Sequence, residues 1–393
     1  MLNRSILLTH TMMPSSPRLS RRIADLEASP IREILAVANR PGMVSFAGGL
    51  PAPETFPTLA LDAAPADALQ YGPSEGDEAL REAVAAELRA RGMRVPAAQV
   101  LILSGSQQGI DLVAKLCIDA GTPVAVEAPT YLAALQVFRF FGARFVIYSA
   151  DDPEAIGRGG ATLTYCIPTF QNPTGHCYDE AQRRALVAAC VRARSVLFED
   201  DPYRDLAYDP CARTPLCASL VDSDAAWVYQ GSFSKSLAPG LRLGYLACAP
   251  ALLPLMTRLK QAADLHSNRL SQALVLAALR DPARDARLAD LVAFYRTRRD
   301  RFAGLLATHF GDLATWSRPA GGLFFWLRLR APLDTRELLP AALAQQVAFM
   351  PGEPFHVDSG AARGELRLNF SHAAPEDAAR GLAALAAVVR AAR

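Results

Sequence analysis

The chain has 393 residues, 51% of them hydrophobic and 20% charged, which is the balance of a folded globular protein and excludes a disordered one. Its 41 basic and 39 acidic residues leave a formal net charge of +2, which excludes a charge-driven partnership with nucleic acid or an anionic membrane surface. Seven cysteines without a CxxC pair give no disulfide framework and no metal site, and no apolar run reaches the length of a membrane span, so the cytoplasm is the expected compartment.

In chain order, residues 1–28 read as a polar arm, and Ile6-Leu7-Leu8 is too short for the core of a signal peptide. The Pro/Gly-rich stretch 47–57 (AGGLPAPETFP) is expected to cross between domains. Strand-like runs come next at 100–104, 123–127, 144–149, 162–167, 195–199, 227–231 and 242–248. Several are apolar throughout, as strands covered on both faces are in a mostly parallel sheet. The Ala/Leu/Arg-rich stretches between them, such as 107–119 and 179–194, carry helical spacing. This alternation predicts a doubly wound α/β domain, whose ligands sit at the carboxyl ends of the strands. Beyond residue 282 the pattern changes to a long helix (284–309), strands at 322–329, 346–350 and 365–371, and an Ala-rich helix (374–392), a smaller α+β domain. The expected division is 1–58 for an N-terminal arm with part of the small domain, 59–282 for the large domain and 283–393 for the small C-terminal domain.

Four loops at strand ends carry reactive groups. In 231–245 (GSFSKSLAPGLRLGY), Lys235 is ringed by Ser232, Ser234 and Ser236, with Arg242 beyond a Pro-Gly turn. A lysine nucleophile needs a shielded approach to a carbonyl carbon, and hydroxyls beside a guanidinium suit a phosphate monoester. In 199–203 (EDDPY), Asp200 is the candidate to hold a protonated heteroaromatic nitrogen, with Glu199 and Asp201 as alternates. In 168–175 (PTFQNPTG), Asn172 sits on a loop stiffened by prolines and has an amide to donate; an ordinary Asn-Pro turn is the other reading. In 104–108 (SGSQQ), Ser106 and Gln107 lie where a helix begins, a place that binds phosphate and also serves as an N-cap. No GxGxxG or GxxxxGK[ST] is present, so a dinucleotide or P-loop reading has no motif.

Taken in order, YGPSEG (71–76), the GSQQ turn, NPTG, the D-x-x-Y element and SxSK…PGxRxG resemble the class I/II aminotransferases of the aspartate-aminotransferase fold. SPIR (29–32), SFAGGLPAPETFP (45–57) and RLNFS (367–371) resemble the 2-aminoadipate and kynurenine aminotransferase branch, and the likeness covers residues 29–393. It implies pyridoxal 5'-phosphate as cofactor, a mostly parallel seven-stranded sheet in the large domain, and transfer of an amino group from an L-amino acid to a 2-oxo acid such as 2-oxoglutarate. It assigns Lys235 as Schiff-base lysine and proton carrier, Asp200 as partner of the pyridine nitrogen, and Asn172 with Tyr203 as holders of the phenolic oxygen. Tyr131 would stack on the ring, and Ser106, Gln107, Ser232 and Arg242 would form the phosphate cup. Tyr71 would reach a neighbouring subunit's phosphate, implying a homodimer with shared active sites. Arg367 would bind the substrate α-carboxylate, with the Gly49 backbone close by, and Arg32 or Arg269 would read its distal end. A lyase, or an oxidase or hydroxylase acting on amino acids with the same cofactor, is the alternative. A cofactor-sensing regulator is disfavoured, because only 28 residues precede SPIR and no basic recognition helix is visible.

Overall fold

The computed structural model describes residues 20–23, 34, 40–59, 65–360 and 362–393. A short strand β1 (Val44–Ser45) precedes seven strands of one sheet: β2 (Val100–Leu103), β3 (Pro123–Glu127), β4 (Arg144–Tyr148), β5 (Leu163–Cys166), β6 (Val196–Asp200), β7 (Trp227–Ser232) and β8 (Gly244–Cys248). Their spatial order is β2-β8-β7-β6-β5-β3-β4. Five of them, β3 to β7, pair in parallel, and β8 runs antiparallel to both its neighbours. Every residue of β2, β5 and β8 is buried, which is why these runs are apolar without alternation. β4 lies at the edge and exposes Ile147.

Helices cover both faces. In α1 (Glu78–Ala90) the inward stripe is Leu80, Val84, Ala85 and Leu88, and in α2 (Ser106–Cys117) it is Ile110, Leu112, Val113 and Ala114. After these come α3 (Leu132–Phe140), α4 (Ala155–Arg158), α5 (Glu180–Ala193), α6 (Leu253–Asp264), α7 (Arg269–Arg280) and the long α8 (Arg284–Phe310). A capping box starts α5: the Asp179 carboxylate accepts from Gln182 N, and the Gln182 side chain answers the Asp179 N–H.

The remaining strands, β9 (Ala314–Trp316), β10 (Phe324–Leu329), β11 (Val347–Ala348), β12 (Met350–Pro351) and β13 (Glu365–Asn369), lie with α9 (Thr335–Ala344) and α10 (Pro375–Ala391). Four of them form an antiparallel sheet in the order β12-β13-β10-β9. The run expected as one strand at 346–350 is two. β11 pairs with β1, β12 pairs with β13, and the fully buried Phe349 stands between them. The strand expected from 242 starts at Gly244, because Arg242 takes a left-handed φ of 49° that no strand accommodates. Likewise β10 begins after Gly322, whose φ is +74°. Phe302 of α8 stacks on Phe325 of β10 at 5.5 Å and takes Phe46 edge-on, also at 5.5 Å, so the segment after β1 is fixed in the core around this sheet.

Candidate active site

The groups of the four loops meet because parallel strands end on the same side of a sheet. β5 leads into the loop with Asn172, β6 ends on Asp200, β7 runs into the Lys235 loop, and α2 begins at Ser106 directly after β2. Together they enclose a cavity of 270 Å³. Of the expected residues, Ser106, Gln107, Tyr131 and Asn172 line it from one part of the chain, and Asp200, Tyr203, Ser232, Lys235 and Arg242 from the other. Arg367 and Gly49 adjoin it through Asn172 and Lys235.

Lys235 Nζ donates to Gly49 O at 2.9 Å and lies 5.9 Å from the centre of the Tyr203 ring. Burial, then the positive charges of Arg367 and Arg242, bring its ammonium down to about 8, which makes free amine available near neutral pH. Asp200 is 3% exposed, with Tyr165 Oη donating to Oδ2 at 2.8 Å and Gln230 Nε2 to Oδ1 at 2.9 Å. Burial pushes its carboxyl up to about 6; the donors Gln230 and Tyr165 oppose that, and the neighbouring charge of Asp201 adds to it. Tyr203 shares a hydrogen bond with the Asn172 side chain, and burial raises its phenol. Arg367 Nη1 donates to Asn172 Oδ1 at 2.7 Å and Nη2 to Ala47 O at 2.5 Å. Its guanidinium lies 4.2 Å from the centre of the Phe324 ring and 5.0 Å from that of Phe355, and burial lowers it to about 10.

Three features fit a phosphorylated pyridine and a carboxylate substrate. Among the described residues no lysine or arginine pairs with Asp200, so this buried carboxylate suits a cationic N–H. Among the described residues the buried Arg367 Nε has no hydrogen-bond partner, and it suits an anion. Gly105, at φ +82°, brings the turn before α2 close to Arg242, where a Cβ would lie 2.6 Å from its Nη2; the positive φ favours glycine where this backbone meets the guanidinium.

Tyr71 does not line the cavity: it is 77% exposed and packs edge-on against His266 at 5.7 Å. Arg269 is committed to its own chain, with Nε on Asp77 at 3.0 Å and Nη2 on Asp67 at 3.1 Å. Arg32 lies outside the described residues. Glu199, the alternate to Asp200, points elsewhere, accepting from Cys217 N at 3.0 Å, and Asp201 is taken by Arg204 and Tyr229. Sequence reasoning missed Tyr165, Gln230 and Phe355, which sit inside apolar runs or a Pro-rich turn and carry no motif of their own; Phe324 falls within GGLFFW (321–326), an apolar stretch the sequence offers either as a substrate-side surface or as a buried strand.

The α/β fold, with an amine of lowered basicity lining one cavity with a buried carboxylate, fits an enzyme that joins amines to carbonyls. The chain belongs to the class I and II aminotransferases, whose family model matches residues 49–385. It is 38% identical to the 2-aminoadipate transaminase of Thermus thermophilus over 91% of this chain and 92% of that one. It is 34% identical to aromatic-amino-acid aminotransferase 1 of Thermococcus litoralis over 94% of each. Among solved structures, it superposes with a TM-score of 0.86, at 34% identity and over 95% of this chain and 97% of the other, on an α-aminoadipate aminotransferase from Thermus thermophilus complexed with N-(5'-phosphopyridoxyl)-L-leucine. Family membership favours amino-group transfer over the lyase alternative. Among the described residues, no helix is long and apolar enough to cross a membrane.

Proposed function

We propose a division of labour among the residues of this aminotransferase, whose cofactor is pyridoxal 5'-phosphate. When bound, the cofactor supplies an aldehyde and a pyridinium ring that withdraws electrons from the substrate's Cα. Lys235 is its covalent anchor and then the base that removes the Cα proton and returns it; a free amine near neutral pH serves both tasks. Asp200, supported by Tyr165 and Gln230, holds the proton on the ring nitrogen. Asn172 and Tyr203 orient the ring through its phenolic oxygen, and Tyr131 covers one face. Ser106, Gln107, Ser232 and Arg242 bind the phosphate. Arg367 grips the substrate α-carboxylate beside Gly49. The observation that carries this reading is the convergence of Lys235, Asp200 and Asn172 on one 270 Å³ cavity.

The donor is a 2-aminoadipate-, glutamate-, aromatic- or branched-chain-type amino acid and the acceptor is 2-oxoglutarate; the names of two relatives support the 2-aminoadipate and aromatic donors. Arg32 is the proposed reader of the distal end, since Arg269 already serves Asp67 and Asp77. The exposed Tyr71 supports a homodimer that completes each site with a partner's tyrosine, and seven free cysteines support a cytoplasmic location. The pairing of β1 with β11 supports assigning residues 1–58 in part to the small domain, with 59–282 and 283–393 as the other units.

A screen of amino donors with 2-oxoglutarate, monitored at the cofactor's visible absorbance, tests this reading. Lys235→Ala is expected to lose both the lysine-dependent absorbance band and turnover. Turnover retained in that variant overturns the assignment, and oxygen uptake without keto-acid exchange favours the oxidase rival.

A further inference from the structure

The side chain of Lys260 on α6 is fully buried, a rare position for a lysine. An ammonium has three N–H groups, and Lys260 Nζ meets three partners: Asp264 Oδ1 at 2.9 Å, Ser267 Oγ at 3.0 Å and Gln108 Oε1 at 3.0 Å. The same Gln108 oxygen accepts the backbone N–H of Ser104 at 2.9 Å, and Ser104 Oγ donates to Asp264 Oδ2 at 2.7 Å. Residues 104–108 are the turn that opens α2 and supplies Ser106 and Gln107 to the cavity. On its other side the turn lies tight against β8 and Arg242: a Cβ on Gly244 would stand 3.0 Å from Ser106 N, and one on Gly105 would stand 2.6 Å from Arg242 Nη2. The turn is therefore clamped between two layers, and the buried amine is the hub of one of them.

We propose that Lys260 is a positioning residue for the cofactor phosphate: through Gln108 and the Asp264–Ser104 bond it fixes the turn whose N–H groups receive that phosphate. This rests on the reading of the cavity as a pyridoxal phosphate site. The lysine works by geometry and not by attraction, because Asp264 neutralises its charge. Donors already held in place give an anion its full binding energy, whereas a turn free on one side must be ordered at the moment of binding.

The test strips the holoenzyme and titrates it with pyridoxal 5'-phosphate and, separately, with pyridoxal, which lacks the phosphate. In Lys260→Met the dissociation constant for the phosphate form is expected to rise about 10- to 100-fold while that for pyridoxal changes less than about threefold. Lys260→Met/Asp264→Asn removes the charge pair together and is expected to show the same selective loss. Gln108→Met cuts the link at a half-buried position while keeping both members of the charge pair, at the cost of one of the lysine's three acceptors, so a failure of the lysine variants to fold leaves the question answerable. A purely structural role would weaken both ligands equally or leave both unchanged, and either result overturns the proposal. A wild-type protein with no preference for the phosphate form would instead refute the cofactor site on which the proposal stands.

Discussion

Replacing Arg367 by lysine keeps the positive charge and removes the fork. Arg367 is 2% exposed and has five N–H groups. One serves Asn172 and one serves Ala47, which leaves Nε and two others for a ligand. A lysine that kept both protein bonds would have a single N–H left for the substrate carboxylate. The ligand then loses at least one charge-assisted hydrogen bond, about 1.5–3 kcal/mol, or about 10- to 150-fold in kcat/KM. Because the carboxylate is held alike before and during proton transfer, the loss should fall on KM for donor and acceptor and spare kcat. The stacking between Phe324 and Phe355 is lost too, which should lower stability by about 1–2 kcal/mol. Steady-state kinetics with both substrates varied, together with thermal unfolding, measures both effects. A kcat/KM within threefold of wild type, or a loss confined to kcat, would refute the assignment of Arg367 to the carboxylate.

Lys235→Met tests the buried amine in the cofactor-free protein. The unfolded chain keeps that proton up to about 10.5 while the fold releases it near 8, so the penalty on the cation is fully present below 8 and gone above 10.5. The variant should therefore exceed wild type in stability by at most about 3 kcal/mol at neutral pH, with the difference fading toward pH 10.5; a constant difference in denaturant unfolding would contradict this. Tyr165→Phe withdraws a donor from the Asp200 carboxylate, which raises a group already at about 6. The acid limb of the pH–rate profile should move to higher pH and kcat/KM fall about tenfold; an unmoved limb counts against the support role. Gly105→Ala places a methyl at φ +82° against Arg242, so the melting temperature should drop by the equivalent of about 1–2 kcal/mol and cofactor affinity should weaken with it. Unchanged affinity in equilibrium dialysis would remove that turn from the phosphate cup.

The strands and the four reactive loops were legible because parallel strands covered on both faces leave unbroken apolar runs, and the loops that leave their carboxyl ends gather at one rim. EDDPY and SFSK announce themselves in this way. The groups that tune them do not. Tyr165 lies within TLTYCI, and its acceptor Asp200 is 35 residues further on; Gln230 sits within WVYQG, 30 residues beyond the same carboxylate. Local periodicity marks both as core, and the pairing arises only when β5, β6 and β7 lie side by side. Lys260 has the sequence signature of one more solvated lysine, since the carboxylate at Asp264 has the spacing of an ordinary surface pair on a helix. The split of 346–350 was equally hidden, because two short pairings with different partners leave the same apolar string as one strand.

The stretch just past β1 has a mechanical consequence. Its Ala47 carbonyl takes a bond from Arg367 and its Gly49 carbonyl takes one from Lys235, two residues apart. One short ribbon of peptide thus ties Arg367, the proposed grip on the substrate, to Lys235, the proposed reacting amine. β1, hydrogen-bonded to β11, anchors that ribbon to the smaller sheet's side of the cleft. A shift of that side upon capture of a carboxylate would tug on the lysine's acceptor at the same moment, so that holding and reacting share one tether.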